Sequence, residues 1–290
     1  MAKICEILNT SEPTLSFEVF PPKTEDKYED VEQAALKIAQ LHPSFISVTY
    51  GANGGTRRYT SDIAGDIAKQ GVASLAHLTC VASDKKSVDE AIEIYKEKGI
   101  ENILALRGDL PKDMEALPDT ADFQHASDLV SYIKTKGDFC IGGACYPEGH
   151  PEAANKDEDI LQIKKKVDAG CEFLTTQMFF ENSIMFNYMY RLREAGVNVP
   201  ICAGIMPITK AIQVKRAVQL SGSVMPPRFL ALVDKFGDNP KAMKQAGIAY
   251  ATDQIIDLIA NGINHIHVYS MNNPEVAEAI ANNLSDIIVM

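Results

Sequence analysis

Apolar residues along this chain follow two alternating rhythms. Short runs rich in β-branched and aromatic residues recur near 14–20, 44–50, 74–80, 102–107, 139–145, 172–178, 200–205 and 264–269. Between most of them lie stretches of ten or more residues with apolar positions at helical spacing, as in "KYEDVEQAALKIAQL", "KKSVDEAIEIYKEKGI" and "DEDILQIKKKVDAG". The second and third carry a closing glycine, a common helix stop. Eight strands alternating with helices predict an α/β fold with a parallel sheet, and eight is the number that closes a (β/α)8 TIM barrel. Extra helical material, roughly 226–260, separates the seventh and eighth strands. No linker, low-complexity tract or short-period repeat interrupts the pattern, so residues 1–290 read as a single barrel domain.

Parity within the strands sharpens this picture. Leu15, Phe17 and Val19 share one face of the first strand, and Ser16 and Glu18 share the other. The second strand sets Ile46 and Val48 opposite Ser47 and Thr49. The third pairs His77 with Thr79, the sixth Thr175 with Gln177, and the eighth places His265, His267 and Tyr269 opposite Ile266 and Val268. If the apolar faces meet the helices, the barrel interior is polar toward the C-terminal strand ends. A purely structural barrel fills that space with branched aliphatics. The polar tips therefore predict a site, with Glu18 pointing into its mouth.

Composition narrows the function classes. Of 290 residues 46% are hydrophobic and the net charge is −11, which argues against nucleic-acid binding through basic patches. No apolar run reaches membrane-spanning length and "MAKICEILNT" lacks a signal-peptide core, so a soluble, cytoplasmic protein is expected. The six cysteines form no C-x-x-C; five of them, Cys80, Cys140, Cys145, Cys171 and Cys202, lie in or beside apolar runs and read as free buried thiols.

Two carboxylates stand out. Glutamate is rarely buried unless paired, so Glu18 is read either as the partner of a base such as Arg107 or as a general acid whose pKa is raised in a partly desolvated mouth. In "NILALRGDLPKD" an apolar strand ends in Arg107-Gly108-Asp109, which sets a guanidinium and a carboxylate at the active face or forms a solvated turn with a local ion pair. "ACYPEGHPE" offers Tyr146 and His150 in a proline-stiffened loop, and "KKK" at 164–166 lies on a helix, where at most two lysines can face one site. The chain has no G-x-G-x-x-G, G-K-[ST], H-E-x-x-H or G-x-S-x-G. His265 and His267 lack an obvious third ligand, so no metal is expected.

The motifs "SFEVFPP", "FISVTYGANGG", "AHLTC", "LALRGDLP", "ASDLV", "CYPEGHPEA", "KKKVDAG", "TTQMFF", "AGIMPIT" and "HVYSMN" occur in this order through most of the chain. Together they resemble the catalytic domain of methylenetetrahydrofolate reductase in its bacterial single-domain form. That resemblance implies a (β/α)8 flavoprotein that passes hydride from NADH or NADPH to FAD, then to 5,10-methylenetetrahydrofolate, in a ping-pong sequence giving 5-methyltetrahydrofolate. It implies Glu18 as the acid that helps open the folate ring to an iminium, and Asp109 as a charge beside flavin and pterin. It further implies flavin contacts from Tyr50, Ala52, His77, Arg107, Gly108, Asp109, Ala126, Tyr146, His150, Asp159, Lys165 and Lys166. By the same resemblance Thr49, Asp109, Gln177 and Tyr269 would be the substrate-side residues, with Thr49 facing nicotinamide and Gln177 facing folate and nicotinamide in turn. Three positions depart from the family pattern. Lys210-Ala211 stands where an aromatic is common, Asn273 where an arginine is common, and His125 where a tyrosine is common. Direct use of nicotinamide, supply of electrons by a partner protein, and assembly into a homo-oligomer all stay open.

Overall fold

The computed structural model describes residues 2–50, 57–81, 83–110 and 116–289. Eight parallel strands close into a barrel in chain order. They are β1 Thr14–Val19, β2 Ile46–Val48, β3 Ser74–Thr79, β4 Asn102–Leu106, β5 Cys140–Cys145, β6 Phe173–Thr176, β7 Ile201–Ile205 and β8 His265–Tyr269. Each lies within one of the runs read from the sequence, and the (β/α)8 expectation holds.

The helices are α1 Ile4–Ile7, α2 Tyr28–Ala39, α3 Arg57–Lys69, α4 Lys85–Glu97, α5 Ala126–Lys134, α6 Lys156–Asp168, α7 Asn182–Glu194, α8 Ile212–Ser221, α9 Pro227–Phe236, α10 Pro240–Ala260 and α11 Pro274–Asn283. The second and third helical stretches read from the sequence become α4 and α6. Asp84 caps α4 by accepting from Ser87 N–H at 2.8 Å, and Asn155 caps α6 by accepting from the Asp157 and Glu158 N–H groups. The extra material before β8 is α9 and α10. Phe229 of α9 and Met243 of α10 join Met178, Phe180, Met206 and Ile208 in an apolar cluster over the ends of β6 and β7. Among the described residues no helix is long and apolar enough to cross a membrane.

The apolar strand faces meet the helices, as parity predicts: Leu15, Phe17, Val19, Ile46, Val48, Ile266 and Val268 are buried in the largest core cluster. The interior divides into two zones. Its floor is apolar, made of Phe45, Leu75, Leu104, Cys140, Phe173 and Cys202, and is plugged by Ile4 and Leu8 from the N-terminal segment. Asn102 fixes the plug: its Oδ1 accepts from Ile4 N–H at 2.8 Å, and its amide donates to Ser74 O at 3.2 Å. Above the floor the interior turns polar. All six cysteines are unbridged thiols, five of them buried, as the sequence suggested.

Strand register decides which polar residues meet. Ser16 lies opposite His267, and Glu18 lies between Ser47 on β2 and Tyr269 on β8. The mouth is thus assembled from residues more than 200 positions apart.

Candidate active site

Glu18 points inward, as expected, and its side chain is only 17% exposed. Ser47 Oγ donates to its Oε2 at 3.2 Å. His77 Nε2 and His267 Nε2 approach the same oxygen at 3.6 Å and 3.8 Å. Arg107 is not its partner. That guanidinium makes a two-pronged pair with Glu152 at 2.6 and 2.7 Å, a geometry suited to its planar fork.

The direction of the Glu18 pKa corrects the sequence reading. Burial pushes the carboxyl up, but the neighbouring His267 and His77 imidazoles and the Ser47 hydroxyl together hold it below its usual 4.5. Desolvation alone was the basis for a raised value, and the sequence concealed the two imidazoles that oppose it.

Hydrogen-bond accounting shows where a proton can reside. Ser16 Oγ donates to Ile266 O at 3.0 Å. The same hydroxyl oxygen also lies 2.8 Å from His267 Nδ1. His267 Nε2 meets Ser47 Oγ at 3.1 Å. When Ser47 donates to an ionised Glu18, its oxygen can accept from His267 Nε2; when Glu18 is protonated it can donate to Ser47, which can in turn donate to Nε2. Glu18, Ser47 and His267 thus form one continuous hydrogen-bonded line. Phe45 stacks on the imidazole from the floor, with ring centroids 5.4 Å apart. Both His267 nitrogens are engaged with hydroxyls, and His265 Nδ1 is engaged with Thr14 Oγ1 at 3.0 Å.

His77 is the third imidazole. Burial drives its pKa down to about 4, the Glu18 charge opposing, and its buried Nε2 has no hydrogen-bond partner among the described residues. This makes a pH prediction. The unfolded imidazole takes a proton below about 6.5 and the folded one only near 4, so the unfolded state binds more protons between these values. Stability then falls as pH drops through that window, by roughly 3 kcal/mol, and the depressed Glu18 carboxyl adds loss of the same sign below 4.5. Thermal midpoints measured from pH 7 to 4 should show this fall, with a shallower slope in His77→Asn. An identical slope in that variant would refute the assignment.

Beside the mouth a cleft of about 230 Å³ runs between the β4 and β5 ends and the starts of α5 and α6. It gathers Arg107, Ala126, Tyr146, His150, Asp159 and Lys166. Tyr146 and His150 pack edge to face at 4.6 Å. Lys166 donates to Ala144 O at 2.5 Å, and burial lowers its pKa. Burial raises Asp159. The N-terminus of α5 opens on this cleft, bringing backbone N–H groups that favour anions.

The remaining expected residues are more dispersed. Lys165 is exposed and does not line the cleft; one residue of helix turns it about 100° from Lys166. Gly108 has a φ of +88°, and a Cβ there would lie 2.6 Å from Val81. Asp109 is exposed at the mouth, where its charge helps raise the Tyr146 phenol to about 12, behind burial as the main cause. Gln177 Oε1 accepts from Met178 N–H at 2.9 Å. Thr49 and Tyr50 follow β2 and are half-buried. Ala52 lies outside the described residues. Tyr269 donates to Thr176 O at 2.5 Å. Of the departures, His125 lines the cleft, Lys210 is exposed, and Asn273 caps α11 through Val276 N–H at 3.3 Å.

The methylenetetrahydrofolate reductase family model matches residues 3–285. The chain belongs to the methylenetetrahydrofolate reductase family. It is 35% identical over 271 residues to the 5,10-methylenetetrahydrofolate reductases of Pectobacterium carotovorum and Escherichia coli, covering 93% of this chain and 89% and 90% of theirs. It is also 35% identical to the Arabidopsis thaliana methylenetetrahydrofolate reductase (NADH) 1, but spans half of that protein. Among solved structures, a Clostridium thermocellum protein described as binding two copies of 5-methyl-5,6,7,8-tetrahydrofolic acid aligns with a TM-score of 0.67 at 15% identity over 98% of both chains, which shows the shared fold. Membership places the chain among enzymes of folate reduction.

Sequence reasoning gave no role to Ser16, Ser47, His267 or Glu152. Inward parity marked the first three, but only register sets them against Glu18. Glu152 had no signal beyond its place in "HPEA".

Proposed function

We propose that this enzyme reduces 5,10-methylenetetrahydrofolate to 5-methyltetrahydrofolate, using FAD and a reduced nicotinamide that occupy and leave one shared mouth in turn. The carrying observation is the placement of Glu18, a carboxyl joined through Ser47 to the His267 imidazole, at the inward tip of β1.

The residues fit a flavin dinucleotide. His77 Nε2, buried and without a hydrogen-bond partner among the described residues, offers a polar contact at the mouth. Lys166 has no ion-pair partner among the described residues, and an anion beside it would restore the charge that burial opposes. With the start of α5, it would hold a pyrophosphate in a chain that is otherwise strongly acidic, while Tyr146 and His150 supply ring surfaces. When bound, FAD supplies the hydride chemistry.

This chain's own residues supply position and the proton. A ring system filling the mouth excludes water from Glu18, which favours the neutral carboxyl. Glu18, linked through Ser47 to His267, can then deliver a proton to the folate ring nitrogen as that ring opens. Asp109 stabilises the resulting cation by its charge. Thr49, Gln177 and Tyr269 rim the same space for folate and nicotinamide.

Purified protein is expected to be yellow, or to become so with FAD, and to bleach when NADH or NADPH is added. A chain that takes up no flavin would defeat this reading. One that binds flavin but stays oxidised with both nicotinamides would transfer the donor role to a partner protein.

A further inference from the structure

At the opposite end of the barrel, away from the mouth, three ligating side chains meet on segments remote in sequence. They are Cys5 on α1, Cys140 at the start of β5 and Glu172 just before β6, and their sulfur and carboxylate oxygen atoms all lie within 4.8 Å of one another. We propose that this triad is a binding site for a soft divalent ion of the zinc class, with two thiolates, one carboxylate and a water as its tetrahedral set.

Ligand type and spacing suit such an ion. Two sulfurs and one carboxylate are within the usual zinc repertoire, and three protein ligands plus water is a familiar count. The surroundings orient the donors. Cys5 N–H donates to Cys140 Sγ at 3.2 Å, a contact that stabilises a thiolate. Glu172 Oε1 is fixed by Lys134 at 2.7 Å and by Ile141 N–H at 3.2 Å, a ready outer support for a ligating carboxylate. Apolar packing accounts for Cys140, which is fully buried in the floor. Cys5 packs against the same floor but stays partly exposed, with its sulfur beside the Glu172 carboxylate. On binding, the ion displaces both thiol protons to bulk water.

The consequence is structural. Cys5 belongs to the segment that plugs the floor, so the ion would fasten α1 to β5 and β6 without touching the mouth. Cadmium serves as the probe, because each thiolate bound to it adds ultraviolet charge-transfer absorption. Reduced protein is expected to take up one equivalent with the intensity of two thiolates. Cys5→Ala should weaken binding on the order of 100-fold, since even outer-shell changes cost 10–100-fold, and Glu172→Gln should weaken it less. Zinc at a hundredfold excess over its Kd should raise the thermal midpoint of the parent by about 5 °C and leave Cys5→Ala unmoved. Cys140→Ser, if it folds, should behave as Cys5→Ala does. No charge-transfer band in the reduced parent, or an undiminished band in Cys5→Ala, would overturn the proposal. A thermal shift equal in parent and Cys5→Ala would overturn it as well.

Discussion

Replacing Glu18 by glutamine is expected to leave reduction of bound flavin by nicotinamide near its parental rate, while slowing folate reduction by about 10²- to 10⁴-fold. The two half-reactions separate because only the folate ring needs a proton as it opens. Glutamine keeps the size of the side chain and can still accept from Ser47, so the mouth retains its shape. Stopped-flow measurement of each half-reaction gives the two rates independently. A variant with both rates intact would remove Glu18 from the chemistry, and one with both lost would point to a damaged site instead. Ser47→Ala is the companion test. It cuts the 3.2 Å and 3.1 Å links to Glu18 and His267 but leaves the carboxyl in place. Folate reduction should fall less than in Glu18→Gln, with a changed pH profile, whereas a purely structural hydroxyl would leave that profile unmoved.

The second large effect concerns the wall of the mouth. Gly204 on β7 has no room for a side chain: a Cβ there would lie 2.3 Å from Thr176 O and 2.7 Å from Tyr269 Oη. Its N–H donates to Thr176 Oγ1 at 2.8 Å, so the β6 and β7 backbones are already tied at this point. Gly204→Ala must separate those strands and swing Tyr269 off its carbonyl partner. Overpacking of this kind costs about 3 kcal/mol, which should lower the thermal midpoint on the order of 8 °C. Folate affinity should fall with it, because Tyr269 leaves its position beside Glu18. Adding Tyr269→Phe to Gly204→Ala should recover only part of the stability, since the carbonyl clash persists after the hydroxyl is gone. An unchanged midpoint in Gly204→Ala would mean that the strands do not approach as described.

How much of this was legible beforehand differs between residues. Glu18 and His77 could be placed inside the barrel from strand parity, because a strand offers only two faces and the apolar one must meet the helices. Lys166 and Lys165 were indistinguishable as neighbours in a basic run; the helical turn then sent one into the cleft and the other to solvent. Arg107 was one of the bases that could have paired with a buried glutamate, yet Glu152 holds it. The error over Glu18 had the same origin. Burial was visible in its apolar neighbours, whereas the opposing imidazoles arrive from β3 and β8 through chain closure.

The sequence by itself determined the number and order of strands, the faces they bury, and the family, since these depend on local periodicity and on motifs contiguous in the chain. Only the tertiary structure decided which inward residues touch. Closing the barrel brings β8 beside β1 in one register, and that contact sets Tyr269 beside Glu18 and His267 beside Ser16. Pairings across such sequence distances depend on the geometry of the whole ring, so no local stretch encodes them.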